Sequence, residues 1–301
     1  MKHLNLTKDD NQVEVEQAYL TVMQRGDLSS LQWSNGHNLL SPITIPNHLK
    51  DLMEEVECDV YYPSLNFRDV ITATGRIAVG PESLLIDCLI GFEFSGRRRD
   101  NGQRVFGMPS GFGIATNVKI KSPLLFKVPD QWSLEYAATI STIYMTVWYG
   151  IIERGYLQPG ESILIHSGSG GVGQAAINVS KHLGCKIYVT VGTKEKREFL
   201  KQTYGLTDDQ IFSSRNTDFE EKIFQATKGK GVDMVLNSLS EEKLLASFRC
   251  LGDDGRFIEI GKYDFQMNNP LPMFAFLKNI TFHGVGLDKV SFLDKKDYIN
   301  F

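Results

Sequence analysis

The sequence has few cysteines, and none of them is placed for a metal cluster or a disulfide framework. The four thiols are widely separated, with no CxxC pair and no histidine at ligand spacing; they are Cys58, Cys88, Cys185 and Cys250. Isolated thiols of this kind are typical of reduced, mostly buried cysteines in a cytosolic protein. The spacing therefore predicts no metal site built from cysteines.

The chain also lacks a long apolar run and a strong net charge. No stretch approaches the ~18 apolar residues that a membrane span needs, and the N-terminus MKHLNLTKDD is polar. A net charge of -4 gives no general attraction to nucleic acid or to an acidic membrane surface. The basic cluster Arg97–Arg99, in RRRDNG, is interpreted as a solvated hairpin tip. We therefore expect a cytoplasmic protein without nucleic-acid or membrane partners.

What the sequence contains is enough apolar material for two domains, since 42% of its 301 residues are hydrophobic. From Glu14 to about Phe126, short β-branched and aromatic runs are broken by Gly, Pro and Asn, which predicts a small, partly closed β-domain. At Ser133 the pattern changes. The stretch SLEYAATISTIYMTVWYGIIERG begins with a serine cap and has helical spacing, so it predicts one helix or two in succession.

After LQPGES, strand-like and helix-like segments alternate in the order typical of a doubly wound parallel sheet. The predicted strands are ESILIHS, KIYVTVG, QIFSS, VDMVLNSL and RFIEIG, and a further apolar run is ITFHGVGLD. The predicted helices are VGQAAINVSKHLG, KEKREFLKQTYG, DFEEKIFQATKG and EEKLLASFRCLGDDG.

The turn IHSGSGGVG matches the G-x-G-x-x-G pattern of dinucleotide-binding folds and lies between a predicted strand and a predicted helix. Gly168 permits the tight turn, Gly170 lets the backbone approach a pyrophosphate, and Gly173 allows the helix to pack closely on the strand. The cofactor cradle predicted from this pattern also contains Ser169, Gly171 and Val172. The alternative is a merely flexible loop.

The segment TVGTKEKREF follows the second predicted strand, where NAD-specific sites usually carry an acid for the ribose hydroxyls. Here Thr193 is followed instead by Lys194 and Lys196, and the cations of the two lysines would attract a 2′-phosphate. The sequence therefore predicts NADPH as the cofactor, with an ordinary solvated helix face as the alternative. Arg215, after the third strand, is predicted to contact the phosphate or to stack on adenine; otherwise it is a surface arginine.

Several segments together resemble the enoyl reductase domain of animal-type fatty acid synthase, a member of the medium-chain dehydrogenase/reductase superfamily. The likeness runs from Ala18 to Asp288, and polyketide synthase enoyl reductases and stand-alone quinone reductases share much of it. The segments that carry it are CDVYYPSLNFRDVITATGR, GFEFSGR, HSGSGGVGQAA, TVGTKEKR, GKGVDMVLNSLSEEKL, GRFIEIGK and FHGVGLD.

The resemblance implies a GroES-like, partly closed β substrate domain and a doubly wound parallel-sheet (Rossmann) nucleotide-binding domain. We expect the substrate domain over 1–143, the NADPH-binding domain over 144–286 and a shortened return segment over 287–301. Family members continue past this point, so the chain is expected to be part of a multifunctional synthase. Other synthase domains and a second copy of the chain are the implied partners.

The activity that the resemblance implies is hydride transfer from NADPH to the β-carbon of a trans-2-enoyl thioester, carried on an acyl carrier protein, followed by protonation of the α-carbon. Lys262 and Asp288 match the proposed proton donors; a surface lysine and a solvated aspartate are the alternatives. The resemblance also implies that Asn66 lies in the substrate cleft. The implied cofactor contacts are Thr146 at the ribose phosphate and, at the nicotinamide pocket, Asn237 and Ser238.

No metal is expected, although the superfamily contains zinc alcohol dehydrogenases. SLNFRD has no cysteine, and Phe92 stands where those dehydrogenases carry a histidine, so the donors of a zinc site are missing. His166, beside the glycine turn, is interpreted as a packing residue. Two alternative functions stay open: a stand-alone NADPH quinone or enone reductase, and a fragment that binds NADPH without turnover.

Overall fold

The computed structural model describes residues 5–8, 11–14, 17–35, 54–76, 90–109 and 111–287. Contacts divide the chain into two compact units, with the boundary between Thr142 and Ile143. The domain ranges expected from the sequence stay predictions, and residues 288–301 lie outside the described residues.

The first unit is antiparallel β-structure. Its two strand pairs are β1 (Asn5–Lys8) with β2 (Asn11–Glu14), and β3 (Ala18–Val22) with β4 (Leu31–Asn35). Five further strands form one sheet in the order β8-β5-β6-β7-β9; they are β5 (Glu55–Pro63), β6 (Phe94–Arg98), β7 (Arg104–Gly107), β8 (Asn117–Lys121) and β9 (Leu125–Lys127). The turn between β6 and β7 contains Arg99, so the basic cluster does lie at a hairpin tip, where Arg99 pairs with Asp59 at 2.8 Å.

Helices of the first unit are short. They are α1 (Phe67–Ala73) and α2 (Leu134–Ala137). The segment predicted to be helical from Ser133 continues as α3 (Ser141–Val147) and a π-helix (Trp148–Arg154), so the prediction of successive helices is confirmed. The Ser133 hydroxyl caps α2 by accepting a hydrogen bond from the Tyr136 amide at 3.1 Å.

The second unit alternates strands and helices. Its strands are β10 (Ser162–Ile165), β11 (Lys186–Val191), β12 (Ile211–Ser213), β13 (Val232–Asn237), β14 (Leu251–Glu259) and β15 (Thr281–Gly284). Its helices are α4 (Gly171–His182), α5 (Lys194–Tyr204), α6 (Phe219–Ala226), α7 (Glu242–Arg249) and α8 (Tyr263–Met267), with a 3-10 helix at Met273–Lys278.

These six strands form one parallel sheet in the order β12-β11-β10-β13-β14-β15. This order is that of the Rossmann fold. The first three strands are added towards one edge of the sheet and the next three towards the other, so the strand order reverses between β10 and β13. The predicted fold class, a partly closed β-unit with a doubly wound parallel sheet, is therefore confirmed.

Both faces of the parallel sheet are covered by apolar cores, because alternate side chains of each strand point to opposite faces. Ile163 and Ile165 lie in one core, with Ala176 of α4 and Leu200 of α5. Leu164 lies in the other core. Each strand of the sheet is therefore fixed from both sides, which makes its carboxyl end a rigid base for a site.

One boundary differs from the sequence-based expectation. The helix predicted over EEKLLASFRCLGDDG ends at Arg249, and the strand predicted over RFIEIG already begins at Leu251. Leu251 pairs with Val232, and a register shift in that ladder accommodates the exposed Asp253 and Asp254, the latter with a φ of 56°. The apolar Leu251 is fully buried, so tertiary packing decides the conformation here. None of the helices in the described ranges is long and apolar enough to span a bilayer.

Candidate functional site

Most of the residues selected from the sequence lie beyond the carboxyl ends of the parallel strands of the second unit. Because these ends meet at one edge of the sheet, segments far apart in the chain become neighbours. The glycine turn follows β10, and the TKEK segment follows β11. Arg215 follows β12, Ser238 follows β13 and Lys262 follows β14.

Some glycines of the turn are buried in packing contacts, and others are exposed to solvent. Gly168 and Gly173 are buried, and a Cβ at Gly173 would lie 2.5 Å from the Ser167 carbonyl oxygen and 2.7 Å from the Gly168 Cα. Gly170 and Gly171 are exposed, and only the Ser167 oxygen lies within 4 Å of a Cβ built at Gly170. The first amides of α4, which have no partner within the helix, therefore face a surface that a phosphate can approach.

Two serines beside the turn connect neighbouring strand ends. Ser167 has a φ of 55°, uncommon for a residue other than glycine, and its Oγ lies 3.1 Å from the Oγ of Ser238. The Ser169 carbonyl oxygen accepts a hydrogen bond from Gln174 Nε2 at 2.9 Å, which fixes the turn to α4. Val172 is partly buried. No sequence pattern points to Ser167, because its contact depends on the neighbouring strand.

Basic side chains surround the end of β11. The Thr193 hydroxyl caps α5 by accepting a hydrogen bond from the Lys196 amide at 3.3 Å, and Lys194 and Lys196 are exposed. Arg215 Nε donates to the Gly192 carbonyl oxygen at 2.9 Å, and a Cβ at Gly192 would lie 3.2 Å from Arg215 Nε. The missing side chain at Gly192 thus lets the Arg215 guanidinium lie over the strand end, at a glycine that precedes Lys194 by two residues.

His166 is a buried packing residue. Its Nδ1 lies 2.8 Å from Thr190 Oγ1 and its Nε2 lies 2.7 Å from Ser247 Oγ. Because the Ser247 hydroxyl also donates to the Lys243 carbonyl oxygen at 2.6 Å, the imidazole satisfies both contacts with its proton on Nε2. Burial lowers the pKa of His166 to about 3. The ring is therefore neutral and enclosed, which suits packing and excludes a general acid at neutral pH.

Asn237 departs from the expected role of a direct pocket contact. The residue is fully buried, and its Nδ2 donates to the Leu239 carbonyl oxygen at 2.8 Å and to Glu259 Oε2 at 2.5 Å. Its amide group is thus occupied in holding the end of β13 to the end of β14. Ser238, the next residue, is exposed and remains available as a pocket contact.

Glu259 is a buried carboxyl group that sequence reasoning missed. Burial raises the pKa of Glu259 to about 8, against the opposing effect of hydrogen bonds from Asn237 and the Gly261 amide. A charged residue within the apolar run RFIEIG was the available signal, since an acid in a buried strand needs partners.

Lys262 lies immediately beyond this network. Its Nζ donates to the Val285 carbonyl oxygen at 2.7 Å, and the residue is partly buried. The lysine is therefore anchored at the carboxyl edge of the sheet, as its position after RFIEIG predicted. Asp288, the second predicted proton donor, lies outside the described residues.

The start of α3 packs against the glycine turn. A Cβ built at Gly171 would lie 3.3 Å from Ile143 Cγ2. Thr146 follows Ile143 by three residues, about one helical turn, and is partly buried. Thr146 thus lies about one helical turn from the residue that meets the glycine turn, and its ribose-phosphate contact stays a prediction.

In the first unit, Asn66 belongs to a network around a buried carboxylate. Asn66 Nδ2 donates to Glu93 Oε1 at 3.0 Å, and the Ser64 hydroxyl donates to the same oxygen at 2.6 Å. The Thr142 amide donates to Glu93 Oε2 at 2.8 Å. Asp69 accepts from the Asn66 amide at 2.7 Å and so caps α1. Asn66 is thus held rigidly by its own unit.

Comparisons with known proteins agree with this architecture. A family profile described as zinc-binding dehydrogenase matches residues 171–298. The reducing polyketide synthase hmp8 of Hypomyces subiculosus is 40% identical over 266 residues, which are 87% of this chain and 11% of that protein. The squalestatin tetraketide synthase of Phoma sp. is 42% identical over 226 residues, 74% of this chain and 9% of that protein. The crystal structure of CurK enoyl reductase superposes with a TM-score of 0.79 at 29% identity, covering 94% of this chain and 85% of that one.

The chain belongs to the medium-chain dehydrogenase/reductase enoyl reductases. This family of oxidoreductases uses a nicotinamide cofactor in its Rossmann unit. The enoyl reductase chain spans about a tenth of the length of the curated relatives it matches, 11% of one and 9% of another. Those relatives are multidomain polyketide synthases, so the animal fatty acid synthase type expected from the sequence is not confirmed.

The zinc in the family description does not fit the donors of this enoyl reductase chain. Within the described ranges, no three His, Cys, Asp or Glu side chains form a group that could hold a metal ion. Burial raises the pKa of Cys58 to about 12 and also raises that of Cys250, so these thiols resist the deprotonation that zinc ligands undergo. Phe92, at the position noted in the sequence, lies under the Arg68 guanidinium at 5.3 Å.

Proposed function

We propose that this chain uses NADPH to reduce the carbon–carbon double bond of trans-2-enoyl thioesters, as one domain of a larger synthase. The observation that carries the proposal is the convergence, at one sheet edge, of the glycine turn, the basic segment after β11 and Lys262. The named relatives are a reducing polyketide synthase and a tetraketide synthase. They favour a growing polyketide or fatty acyl chain, delivered on an acyl carrier protein, as the substrate.

The exposed backbone of Gly170 and Gly171 would hold the pyrophosphate of the cofactor, with the α4 amides as donors. Lys194, Lys196 and Arg215 would bind the 2′-phosphate. The acid in this segment, Glu195, accepts hydrogen bonds from its own amide and from the Thr193 hydroxyl, and these hydrogen bonds lower its pKa. Its carboxylate is therefore directed to the start of α5. When bound, NADPH supplies the hydride.

Lys262 is the proposed group that stabilises the enolate-like oxygen of the substrate or returns a proton to its α-carbon. Its Nζ is held at the sheet edge by the Val285 carbonyl oxygen. Asp288 is its proposed partner. Further proposed contacts are Asn66 with the thioester or nicotinamide, Thr146 with the ribose phosphate and Ser238 with the nicotinamide. A homodimer and a cytoplasmic location remain predictions.

The function is tested by following NADPH oxidation with crotonyl thioester and, separately, with a simple quinone. We expect turnover of the thioester. Turnover of the quinone alone would contradict the proposal and favour a quinone reductase. Tight NADPH binding with no turnover of either compound would instead identify a non-catalytic binding fragment.

Cofactor selectivity is tested by Lys194→Ala and Lys196→Ala. Each change removes a cation from the 2′-phosphate, so NADPH binding should weaken about tenfold, or ~1.4 kcal/mol, while NADH binding changes little. Lys230→Ala is the matched control, because this exposed lysine precedes β13 and so lies at the opposite edge of the sheet. Equal binding of NADPH and NADH by the unaltered chain would show the phosphate assignment to be wrong.

A further inference from the structure

The ends of β13 and β14 are joined by a buried carboxyl group. Asn237 and Glu259 are paired residues in the parallel ladder, and both are the last residues of their strands. Glu259 is 2% exposed and Asn237 is fully buried. A polar pair at this depth persists only when its hydrogen bonds are made.

Each oxygen of Glu259 has a specific donor. Oε2 accepts from Asn237 Nδ2 at 2.5 Å, and Oε1 accepts from the Gly261 amide at 2.5 Å. A Cβ at Gly261 would lie 2.6 Å from Oε1, so the carboxyl group occupies the space that a side chain would need. The carboxyl group thereby fixes the backbone of the residue that precedes Lys262.

The same residue reaches Lys262 by a second route. The Glu259 carbonyl oxygen accepts from the Val285 amide at 2.8 Å, and the Val285 carbonyl oxygen accepts from Lys262 Nζ at 2.7 Å. Val285 is therefore held between Glu259 and Lys262. The carboxyl group of Glu259 holds the backbone just before Lys262, and its carbonyl oxygen holds the residue that binds the Lys262 ammonium group.

A second carboxylate, that of Asp264, connects the chain just after Lys262 to the loop that follows β13. Its two oxygens lie 3.1 and 3.3 Å from the Glu241 amide nitrogen. Glu241 has a φ of 58°, and a positive φ costs energy in a residue other than glycine. The Asp264 contact thus holds an otherwise unfavourable conformation, and Lys262 lies between two anchored positions.

We propose that Glu259 is the positioning residue of this site: its buried carboxyl group orients Lys262 toward the substrate by fixing the backbone of Gly261, while its main-chain carbonyl oxygen holds Val285. The inference rests on the proposed function, because it assigns Glu259 a role in the same reduction. Glu259 does not contact the substrate in this proposal and acts through Lys262.

An electrostatic interaction between Glu259 and Lys262 accompanies these contacts. Burial raises the pKa of Glu259, Asp264 raises it further, and Lys262 opposes both. Glu259 and Lys262 therefore interact electrostatically as well as through the backbone contacts.

The test is Glu259→Gln in the complete chain. The glutamine oxygen can still accept from the Gly261 amide, but its NH₂ group then faces the NH₂ of Asn237, so one contact is lost. We expect kcat with crotonyl thioester to fall about tenfold, while the Kd for NADPH stays within about twofold. The alkaline limb of the kcat profile should move as well. Glu242→Gln, which removes an exposed negative charge from α7, is the control and should keep the kcat of the unaltered chain.

A double substitution separates positioning from general destabilisation. If Glu259 acts through Lys262, then Glu259→Gln adds less than about twofold to the loss of kcat caused by Lys262→Ala. Independent effects that multiply would overturn the proposal. So would an equal loss of kcat and NADPH binding, because that result indicates a merely structural role.

Hydrogen exchange provides a readout that needs no turnover. In Glu259→Ala, which removes the side-chain acceptor, the amide of Gly261 should exchange at least about tenfold faster. The amide of Val285, which donates to the main-chain carbonyl oxygen of residue 259, and the amides of α4 should keep their rates. Unchanged exchange at Gly261 would overturn the inference. If the unaltered chain reduces no thioester, the proposed function fails, and the exchange experiment alone decides whether Glu259 holds the Lys262 segment.

Discussion

At the scale of single residues, His166 and Glu259 are buried groups whose shifted pKa values act in opposite directions on stability. His166 has its pKa lowered to about 3 and Glu259 has its pKa raised to about 8, both mainly by burial. The folded chain therefore prefers each group neutral. Protonation of His166 in the unfolded chain favours unfolding at low pH, and ionisation of Glu259 in the unfolded chain favours it at high pH.

For His166 the folded-state pKa lies below the ordinary value of 6.5, so its contribution is complete above that pH and is lost as the pH falls toward about 3. The slope is at most about 1.4 kcal/mol per pH unit. In the unaltered chain, the free energy of unfolding should fall between pH 6.5 and pH 5. In His166→Gln we expect this fall to be smaller by about 1–2 kcal/mol. Urea unfolding at the two pH values measures this difference, and parallel curves would contradict the burial of a neutral ring.

For Glu259 the folded-state pKa lies above the ordinary value of 4.5, so its contribution is complete below that pH and is lost as the pH rises through about 8. Glu259→Gln cannot ionise. The free energy of unfolding of this variant should therefore depend less on pH between pH 5 and 8. Its slope against pH should differ from that of the unaltered chain by up to about 1.4 kcal/mol per pH unit. Glu242→Gln serves as the reference, since that side chain is exposed. Identical slopes in both variants would show that the Glu259 carboxyl group is not shielded from water.

At the scale of elements, the passage from β10 to α4 assigns different tasks to its glycines. Gly173 faces backbone atoms at 2.5 and 2.7 Å, which cannot move without displacing the turn. Gly170 faces a single oxygen at 3.3 Å and is otherwise open. The G-x-G-x-x-G pattern thus combines a packing requirement and an access requirement in one segment.

These tasks predict two different phenotypes. Gly173→Ala should lower the free energy of unfolding by about 1–3 kcal/mol, because its Cβ overlaps fixed backbone. Gly170→Ala should change the free energy of unfolding by less than about 1 kcal/mol but weaken NADPH binding about tenfold, or ~1.4 kcal/mol. Thermal unfolding and fluorescence titration distinguish the two. Equal loss of stability in both variants would contradict the division of tasks.

At the scale of the whole molecule, the second unit contains its own cores. Among the residues that the structure describes, the two clusters that cover the faces of the parallel sheet come from 143–287. A unit with complete cores on both faces meets the requirement for independent folding. Its site edge, from the glycine turn to Lys262, also lies within this range.

We therefore expect a fragment of residues 143–287 to unfold cooperatively and to bind NADPH within about tenfold of the affinity of the complete chain, or ~1.4 kcal/mol. Calorimetry and a binding titration test this. The fragment should not reduce crotonyl thioester, because Asn66 belongs to the first unit. A broad, non-cooperative transition would show that the second unit needs the rest of the chain.

The sequence by itself determined the fold class and the position of the glycine turn, because both depend on local patterns. Apolar runs and helical periods predicted the alternating strands and helices, and Gly168 and Gly173 marked the turn through their spacing. Lys262 was selected because it follows a predicted strand, a position that any parallel sheet brings to its carboxyl edge.

Only the tertiary structure decided what occupies the space between those strand ends. Asn237 and Glu259 are 22 residues apart in sequence, and their bond exists because β13 and β14 lie side by side. The same holds for Ser167 with Ser238, 71 residues apart. Burial, which raises the pKa of Glu259 and lowers that of His166, is a property of the packed sheet. A linear pattern records which side chains are present, whereas their partners and their solvation arise only when distant strands meet.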